Sequence, residues 1–151
     1  MLLAEAILEK EYIGKSIQKV NNYIYNLSVV IASLDAEVNK PLIKKKLEEL
    51  DDLYKKYQQF DITINRTKSQ AVLKINDMEL TLMESETIKK SMERKLGNLE
   101  DVLHRALKGI SDDKIVCVGI EFLLTIIDEL RLDIKTIDGK IQYVMWNTEI
   151  S

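Results

Sequence analysis

The clearest pattern in the chain is a heptad spacing of apolar residues in its last long stretch, residues 119–148. Such a spacing is typical of a helix whose apolar stripe packs against another helix. The pattern therefore predicts a long final helix that needs a partner. The seam residues are separated by alternating steps of four and three: Leu123, Ile127, Leu130, Ile134, Ile137, Ile141 and Val144.

The same spacing near the start of the chain predicts a first helix over residues 2–34. A turn is expected over residues 36–40, because Pro41 suits the first turn of a helix, where its missing N–H has no partner to lose. The seam of this first helix comprises Ile13, Ile17, Val20, Ile24, Leu27, Ile31 and Leu34.

A second helix is predicted over residues 41–65, ending at Asn65. Asp61 falls in its apolar seam, where a carboxylate is costly unless it is paired. Either Asp61 has a partner, with Arg66 as a candidate, or the helix rotates slightly and Phe60 takes the position. The other seam residues are Ile43, Leu47, Leu50, Tyr54, Tyr57 and Ile64.

Residues 71–80 predict a small β-hairpin closed on Asn76 and Asp77, two residue types that tolerate positive φ. Thr81 and Glu84 have the spacing of a capping box, so a third helix is predicted to start near Leu82. Gly109 is expected to close that helix in a left-handed conformation. Its buried side is marked by Met92, Leu96, Leu99, Leu103 and Ala106.

The β-branched run at residues 115–118 is a candidate third strand for the hairpin. The predicted fold is mainly α, with four long heptad-patterned helices and a small hairpin or three-stranded sheet at one end. The helices form either a four-helix bundle or two coiled-coil hairpins. A single domain over residues 1–151 is expected, because no linker or low-complexity tract interrupts the chain.

Composition and charge narrow the possible environment and partners. Acidic residues outnumber basic ones by 25 to 22, so the net charge of −3 disfavours binding to nucleic acid. Cys117 is the one cysteine, which indicates a reducing, cytoplasmic compartment. The first residues lack the basic start of a signal peptide, and the apolar run at residues 115–127 is too short to span a membrane.

The chain has few residues that could carry chemistry. His104 is the one histidine, and without partner ligands it is expected to be a surface residue. Cys117 lies in an apolar run and is expected to be a packed, inert thiol. No phosphate-binding glycine loop or Glu-x-x-His metal motif occurs. We therefore expect neither catalytic activity nor a metal or cofactor.

Two stretches are candidate ligand or interface sites. Asn65, Arg66 and Thr67 are interpreted either as a helix end with one salt bridge or as a site where Arg66 binds a carboxylate or phosphate. Trp146 and Asn147 lie at the end of the continuous apolar seam of the last predicted helix. Trp146 either fills the end of the helical core or anchors a contact between subunits, where tryptophan is enriched.

Four short segments and the hairpin also carry a family resemblance. The segments are Leu3-Ala4-Glu5-Ala6, Ile64-Asn65-Arg66-Thr67, Leu80-Thr81-Leu82, and the closing Ile141-Gln142 with Trp146-Asn147-Thr148-Glu149. Together with the hairpin they resemble the septicolysin-like family of small bacterial proteins over nearly the whole chain. Lys68 stands where the family pattern has asparagine. The resemblance implies a helical protein, and the family name implies a cytolysin, but no catalytic residues are implied.

The sequence predicts a soluble helical protein that self-associates and acts as a scaffold or binding module. Long helices with apolar seams have more apolar surface than one short chain can bury. Such surface is usually buried by formation of a closed homo-oligomer. One alternative is a membrane-perturbing cytolysin, although a basic face for anionic lipid is lacking. A second alternative is a binder of small anionic ligands that uses Arg66.

Overall fold

A computed structural model describes residues 1–30 and 33–151 of the chain. Its elements in chain order are α1 (Leu3–Leu27), α2 (Ser33–Gln70), β1 (Val72–Ile75), β2 (Met78–Thr81), α3 (Leu82–Ser111) and α4 (Ile120–Met145). The protein is mainly α with a small β-hairpin, as the spacing of apolar residues predicted. The chain divides into two compact units, Met1–Thr67 with Trp146–Ser151, and Lys68–Met145. The single domain expected from the sequence stays a prediction.

In the first unit α1 and α2 pack antiparallel. Near the start of α1, Lys10 forms an ion pair with Asp61 and lies 4.9 Å from the ring centroid of Tyr57. Towards the end of α1, the ring of Tyr23 lies 5.5 Å from Nζ of Lys46. Residues later in α1 therefore contact residues earlier in α2, as in an antiparallel pair. Along α1 the predicted seam is confirmed for Ile13, Ile17 and Val20, which are buried.

The seam of α2 is confirmed at Ile43, Leu50, Tyr57 and Ile64, and it is displaced by one position elsewhere. Leu47 and Tyr54 are 50% and 44% exposed, and Leu53 and Phe60 occupy the seam in their vicinity. Asp61 lies beside Phe60 and is half-buried against Lys10. The buried and half-buried seam positions are Ala36, Asn39, Ile43, Lys46, Leu50, Leu53, Tyr57, Phe60, Ile64 and Thr67.

The predicted turn at residues 36–40 is wrong, because α2 already begins at Ser33. Pro41 lies inside the helix, where it removes one intrahelical hydrogen bond. The early start is supported by Asn39, whose Nδ2 donates to the carbonyl of Leu27 at 3.3 Å and so satisfies the end of α1. Ile31, predicted in the first seam, lies outside the described residues.

The second unit begins with the last turn of α2 and the predicted hairpin. Asn76 and Asp77 have φ values of 49° and 63°, the left-handed conformations of a type I′ turn. The register pairs Ile75 with Met78 across this turn. Strand β1 buries alternate residues, Leu73 and Ile75, on the side of the helices. The hairpin is confirmed as a two-stranded antiparallel sheet.

The capping box at the start of α3 is confirmed. The amide of Glu84 donates to Oγ1 of Thr81 at 3.2 Å, and the amide of Thr81 donates to Oε2 of Glu84 at 2.7 Å. Acceptance of that amide hydrogen bond lowers the pKa of the Glu84 carboxyl. These reciprocal bonds satisfy two backbone donors that the helix leaves without partners.

The end of α3 differs from the prediction. Gly109 is helical, and the left-handed residue is Asp113, with a φ of 55°. The amides of Asp113 and Lys114 donate to the carbonyls of Ile110 and Gly109, the two bonds of a Schellman motif. A Cβ at Gly109 would lie 3.3 Å from Val116 Cγ2, so the close approach of the following loop accounts for a residue without a side chain there.

Helices α3 and α4 form an antiparallel pair. Lys89 of α3 bonds Asp138 at 2.5 Å, and Glu100, further along α3, bonds Arg131 at 2.9 Å. The predicted seam of α4 is confirmed, with Ile134 and Val144 half-buried and its other members buried. The buried members are Leu123, Ile127, Leu130, Ile137 and Ile141.

The predicted third strand is wrong. Residues 114–117 have no strand conformation, and Ile115 is 94% exposed. The hairpin directly precedes α3, whereas this segment follows its end, and a helix of 30 residues is about 45 Å long. The two segments are therefore too far apart to pair. Cys117 is exposed, so the expectation of a packed thiol is also wrong.

Candidate functional site

The first predicted site lies within α2, not at a helix end. Asn65 and Arg66 are exposed on the helix surface, because α2 continues to Gln70. Thr67 is 3% exposed, and its hydroxyl donates to the carbonyl of Thr63 at 2.9 Å. The interpretation of these residues as a helix C-cap is therefore wrong.

The second predicted site precedes a short segment that pairs with the start of the chain. The amide of Leu3 donates to the carbonyl of Thr148 at 2.7 Å, and the amide of Ile150 donates to the carbonyl of Met1 at 3.1 Å. Trp146 is 48% exposed, so it does not fill a core. Asn147 is exposed as well.

The first unit brings these two stretches into the same region. The amide of Ser151 donates to Oγ1 of Thr67 at 3.4 Å, which joins the closing segment to α2. Arg66 and Asn147 each make an interaction within the chain. Asp61, considered as the partner of Arg66, instead forms its ion pair with Lys10. The sequence did not identify Lys10, although it occupies the α1 seam three residues before Ile13.

A small cleft lies between α2 and Ile150 in this unit, with a volume of about 310 Å³. Its lining includes Gln59, Phe60 and Thr63, with Lys56 as its charged group. One lysine among neutral side chains offers no pair of groups for acid–base or nucleophilic chemistry.

Titratable groups elsewhere form ion pairs between helices. A hydrogen bond from Lys89 to Asp138 raises the pKa of the lysine, and partial burial opposes this effect. In the described part of the chain, no cluster of three His, Cys, Asp or Glu side chains could hold a metal ion. His104 is exposed, as predicted.

A larger candidate surface lies on α4, on the side away from its seam. Phe122, Leu132 and Tyr143 are 69%, 65% and 69% exposed. We call this surface the outer face of α4. Its positions follow steps of three and four residues: Phe122, Thr125, Glu129, Leu132, Thr136, Gly139 and Tyr143. The sequence analysis used only the continuous seam of α4, so this second spacing was not identified as a surface.

The last part of this face borders an apolar groove between β1 and α4, of about 510 Å³. A Cβ at Gly139 would meet no atom within 4 Å, so the surface above this glycine is open. Exposed lysines Lys74 and Lys140 also line the groove, and Nζ of Lys140 donates to the carbonyl of Lys74 at 3.0 Å. The other lining residues include Val72, Leu73, Thr136, Tyr143 and Val144.

Apolar side chains are also exposed on other parts of the surface. Among the described residues, sixteen apolar side chains are buried and twenty-three large apolar side chains are exposed. Single exposed apolar residues are ordinary, but several on one helix face mark a binding surface. No helix within residues 1–30 and 33–151 has the length and apolar character needed to cross a membrane.

In its described residues the protein has two antiparallel helix pairs, one β-hairpin and a helix face that carries three exposed apolar side chains. The fold is similar to the crystal structure of a functionally unknown conserved protein from Corynebacterium diphtheriae, with a TM-score of 0.84. That similarity covers 100% of this chain and 99% of the other at 18% sequence identity, so it concerns the fold alone. No protein-family model and no curated protein matches the sequence.

Proposed function

We propose that the protein is a cytoplasmic, non-catalytic scaffold or binding module that self-associates through its helices. The observation that carries this proposal is the outer face of α4, where three large apolar side chains are about two-thirds exposed. Water around such a face is released when another protein surface covers it, which stabilises the complex. A second copy of the chain is always available as that surface.

The proposal also draws on the ion pairs between helices. Lys10 with Asp61 and Lys89 with Asp138 join neighbouring helices, so these charged groups are used for structure. The exposed apolar residues of the outer face of α4 are the groups that support binding. A scaffold needs such a surface and has no need of a reactive group.

Sedimentation equilibrium of the purified chain tests the proposal. We expect a discrete species with a multiple of the 17.5 kDa chain mass at low micromolar concentration. Raising the salt concentration is expected to preserve it, because apolar contacts are not screened. A chain that stays monomeric up to about 100 μM would remove the basis of the proposal.

A membrane-perturbing cytolysin is the alternative, and the resemblance to the septicolysin-like family is its motivation. Exposed Phe122 and Leu132 also favour it, since apolar side chains on a helix face can enter a lipid interface. Dye release from liposomes of neutral and of anionic phospholipid discriminates the two functions. Release by the wild-type chain that Leu132→Lys abolishes supports the cytolysin, whereas intact liposomes beside a discrete oligomer support the scaffold.

Binding of a small anionic ligand through Arg66 stays a further prediction. The motivation is that Arg66 is exposed on α2. Thermal shifts with a panel of carboxylates and phosphates, compared between the wild-type chain and Arg66→Ala, test this prediction. Equal shifts for the two chains would argue against it.

A further inference from the structure

We infer that two copies of the chain pair antiparallel through the outer faces of α4, and that Phe122 of each copy enters the groove between β1 and α4 of the other. This inference rests on the proposed self-association and names the surface that carries it. All the parts involved belong to one compact unit, Lys68–Met145.

The spacing of the exposed residues fits a two-fold contact. In a contact of this symmetry each surface must be complementary to itself. Phe122 precedes Leu132 by ten residues, and Tyr143 follows it by eleven. An antiparallel pair centred on Leu132 therefore aligns Phe122 of one copy with Tyr143 of the other, and brings the two Leu132 side chains together at the axis. The contact extends over about 30 Å of helix.

The groove provides the space that Phe122 requires. Its volume of about 510 Å³ lies within the range that encloses a drug-sized molecule, so it can take one phenyl ring. The open surface above Gly139 lets the ring approach the α4 backbone. Val72 and Tyr143 line the groove, and each is more than half exposed in the single chain. The second copy would cover both.

The charges favour the antiparallel direction. Glu121 lies beside Phe122, and the groove it would approach is lined by Lys74 and Lys140. Antiparallel pairing brings Glu121 of each copy towards Lys74 and Lys140 of the other, whereas parallel pairing brings Glu121 near its own copy.

Asp133 opposes this arrangement and provides a gain-of-function test. It follows Leu132 and is exposed, so an antiparallel pair brings it near its own copy across the axis. Like charges at that separation weaken association. Asp133→Asn is therefore expected to tighten the dimer, whereas a contact elsewhere on the molecule would be unaffected.

Sedimentation equilibrium of single variants tests the surface. Phe122→Ala and Leu132→Lys are each expected to raise the dimer dissociation constant about tenfold or more. Ile62→Lys is the matched control, because Ile62 is 59% exposed on α2 and lies outside the proposed contact. Far-ultraviolet circular dichroism and thermal midpoints establish that each variant remains folded.

The outcomes separate this inference from the proposed function. A wild-type chain that is monomeric at about 100 μM overturns both. An oligomer that persists unchanged in Phe122→Ala and Leu132→Lys, with both variants folded, overturns the α4 contact and leaves self-association standing. Loss of the dimer in these two variants and its retention in Ile62→Lys support the contact.

Cysteine cross-linking tests the direction of the helices. The exposed Cys117 is first replaced by serine, and a short bismaleimide is then used as the probe. At chain concentrations above the dissociation constants that these substitutions raise, chains with Leu132→Cys should cross-link to one another. A mixture of Phe122→Cys chains with Tyr143→Cys chains should cross-link as well. Efficient cross-linking of Phe122→Cys chains alone would indicate a parallel pair and overturn the inference.

Discussion

At the scale of single residues, the ion pair between Lys10 and Asp61 joins α1 and α2 beside the α2 seam. The side chain of Lys10 is 24% exposed and that of Asp61 is 44% exposed, so both retain contact with water. The ring of Tyr57 lies 4.9 Å from Nζ of Lys10 and adds a cation–π contact. A charge that loses its partner at such a position is left incompletely solvated.

Asp61→Asn is therefore expected to lower the free energy of unfolding by about 1 kcal/mol. Replacing both partners, with Lys10→Met and Asp61→Leu, is expected to restore stability to within about 0.5 kcal/mol of the wild type, because apolar side chains suit the seam. Urea denaturation measures both values. A double variant as unstable as Asp61→Asn would show that the pair contributes more than charge neutralisation.

At the scale of elements, the capping box before α3 offers the clearest test. Thr81→Ala removes the hydroxyl that accepts the Glu84 amide bond and is expected to cost about 1 kcal/mol of unfolding free energy. Thr87→Ala is the matched control on the same helix, since its exposed hydroxyl bonds the carbonyl of Met83 and caps nothing. Chemical denaturation of the two variants compares these effects, and equal losses would contradict a capping role.

Elements determined by neighbouring residues were predictable from the sequence. The turn at Asn76 and Asp77 needs two residues that tolerate positive φ, and the start of α3 needs Thr81 and Glu84 three positions apart. The α4 seam was predictable for a similar reason, because the spacing of its residues alone defines one face of a helix.

Elements determined by distant contacts were not predictable. The early start of α2 is supported by Asn39, which bonds a carbonyl in α1, whereas Pro41 gave a misleading local signal. Residues 115–118 have β propensity but no strand edge within reach. At the candidate site, Thr67 was interpreted as part of a helix end, yet it is buried and accepts a bond from Ser151, which is 84 residues away.

At the scale of the whole molecule, each compact unit contains a lysine that bridges two helices and has a raised pKa. The hydrogen bond to Asp61 raises the pKa of Lys10, and the hydrogen bond to Asp138 raises that of Lys89. A lysine of this kind contributes its full stabilisation below its ordinary pKa of 10.5. The contribution is lost as the pH rises through the higher value of the folded state.

The unfolding free energy is therefore expected to fall above pH 10.5 as these lysines lose their protons. Urea titrations at a series of alkaline pH values measure this dependence. The double variant with Lys10→Met and Asp61→Leu lacks one of the two bridges, so its stability should fall less steeply with pH. An unchanged slope in that variant would show that other groups cause the alkaline loss.

The positions of the Lys10–Asp61 and Lys89–Asp138 ion pairs also affect the unfolding rate of the two helix pairs. Both bridges lie far from the connection between their helices: Lys10 is near the start of α1, and Asp138 is near the end of α4. If each pair closes from its connection, the bridge forms after the transition state, and its loss changes the unfolding rate more than the folding rate. Stopped-flow measurements on Asp61→Asn should then show faster unfolding with nearly unchanged refolding. Each bridge would then slow the unfolding of its helix pair and lengthen the lifetime of the paired state.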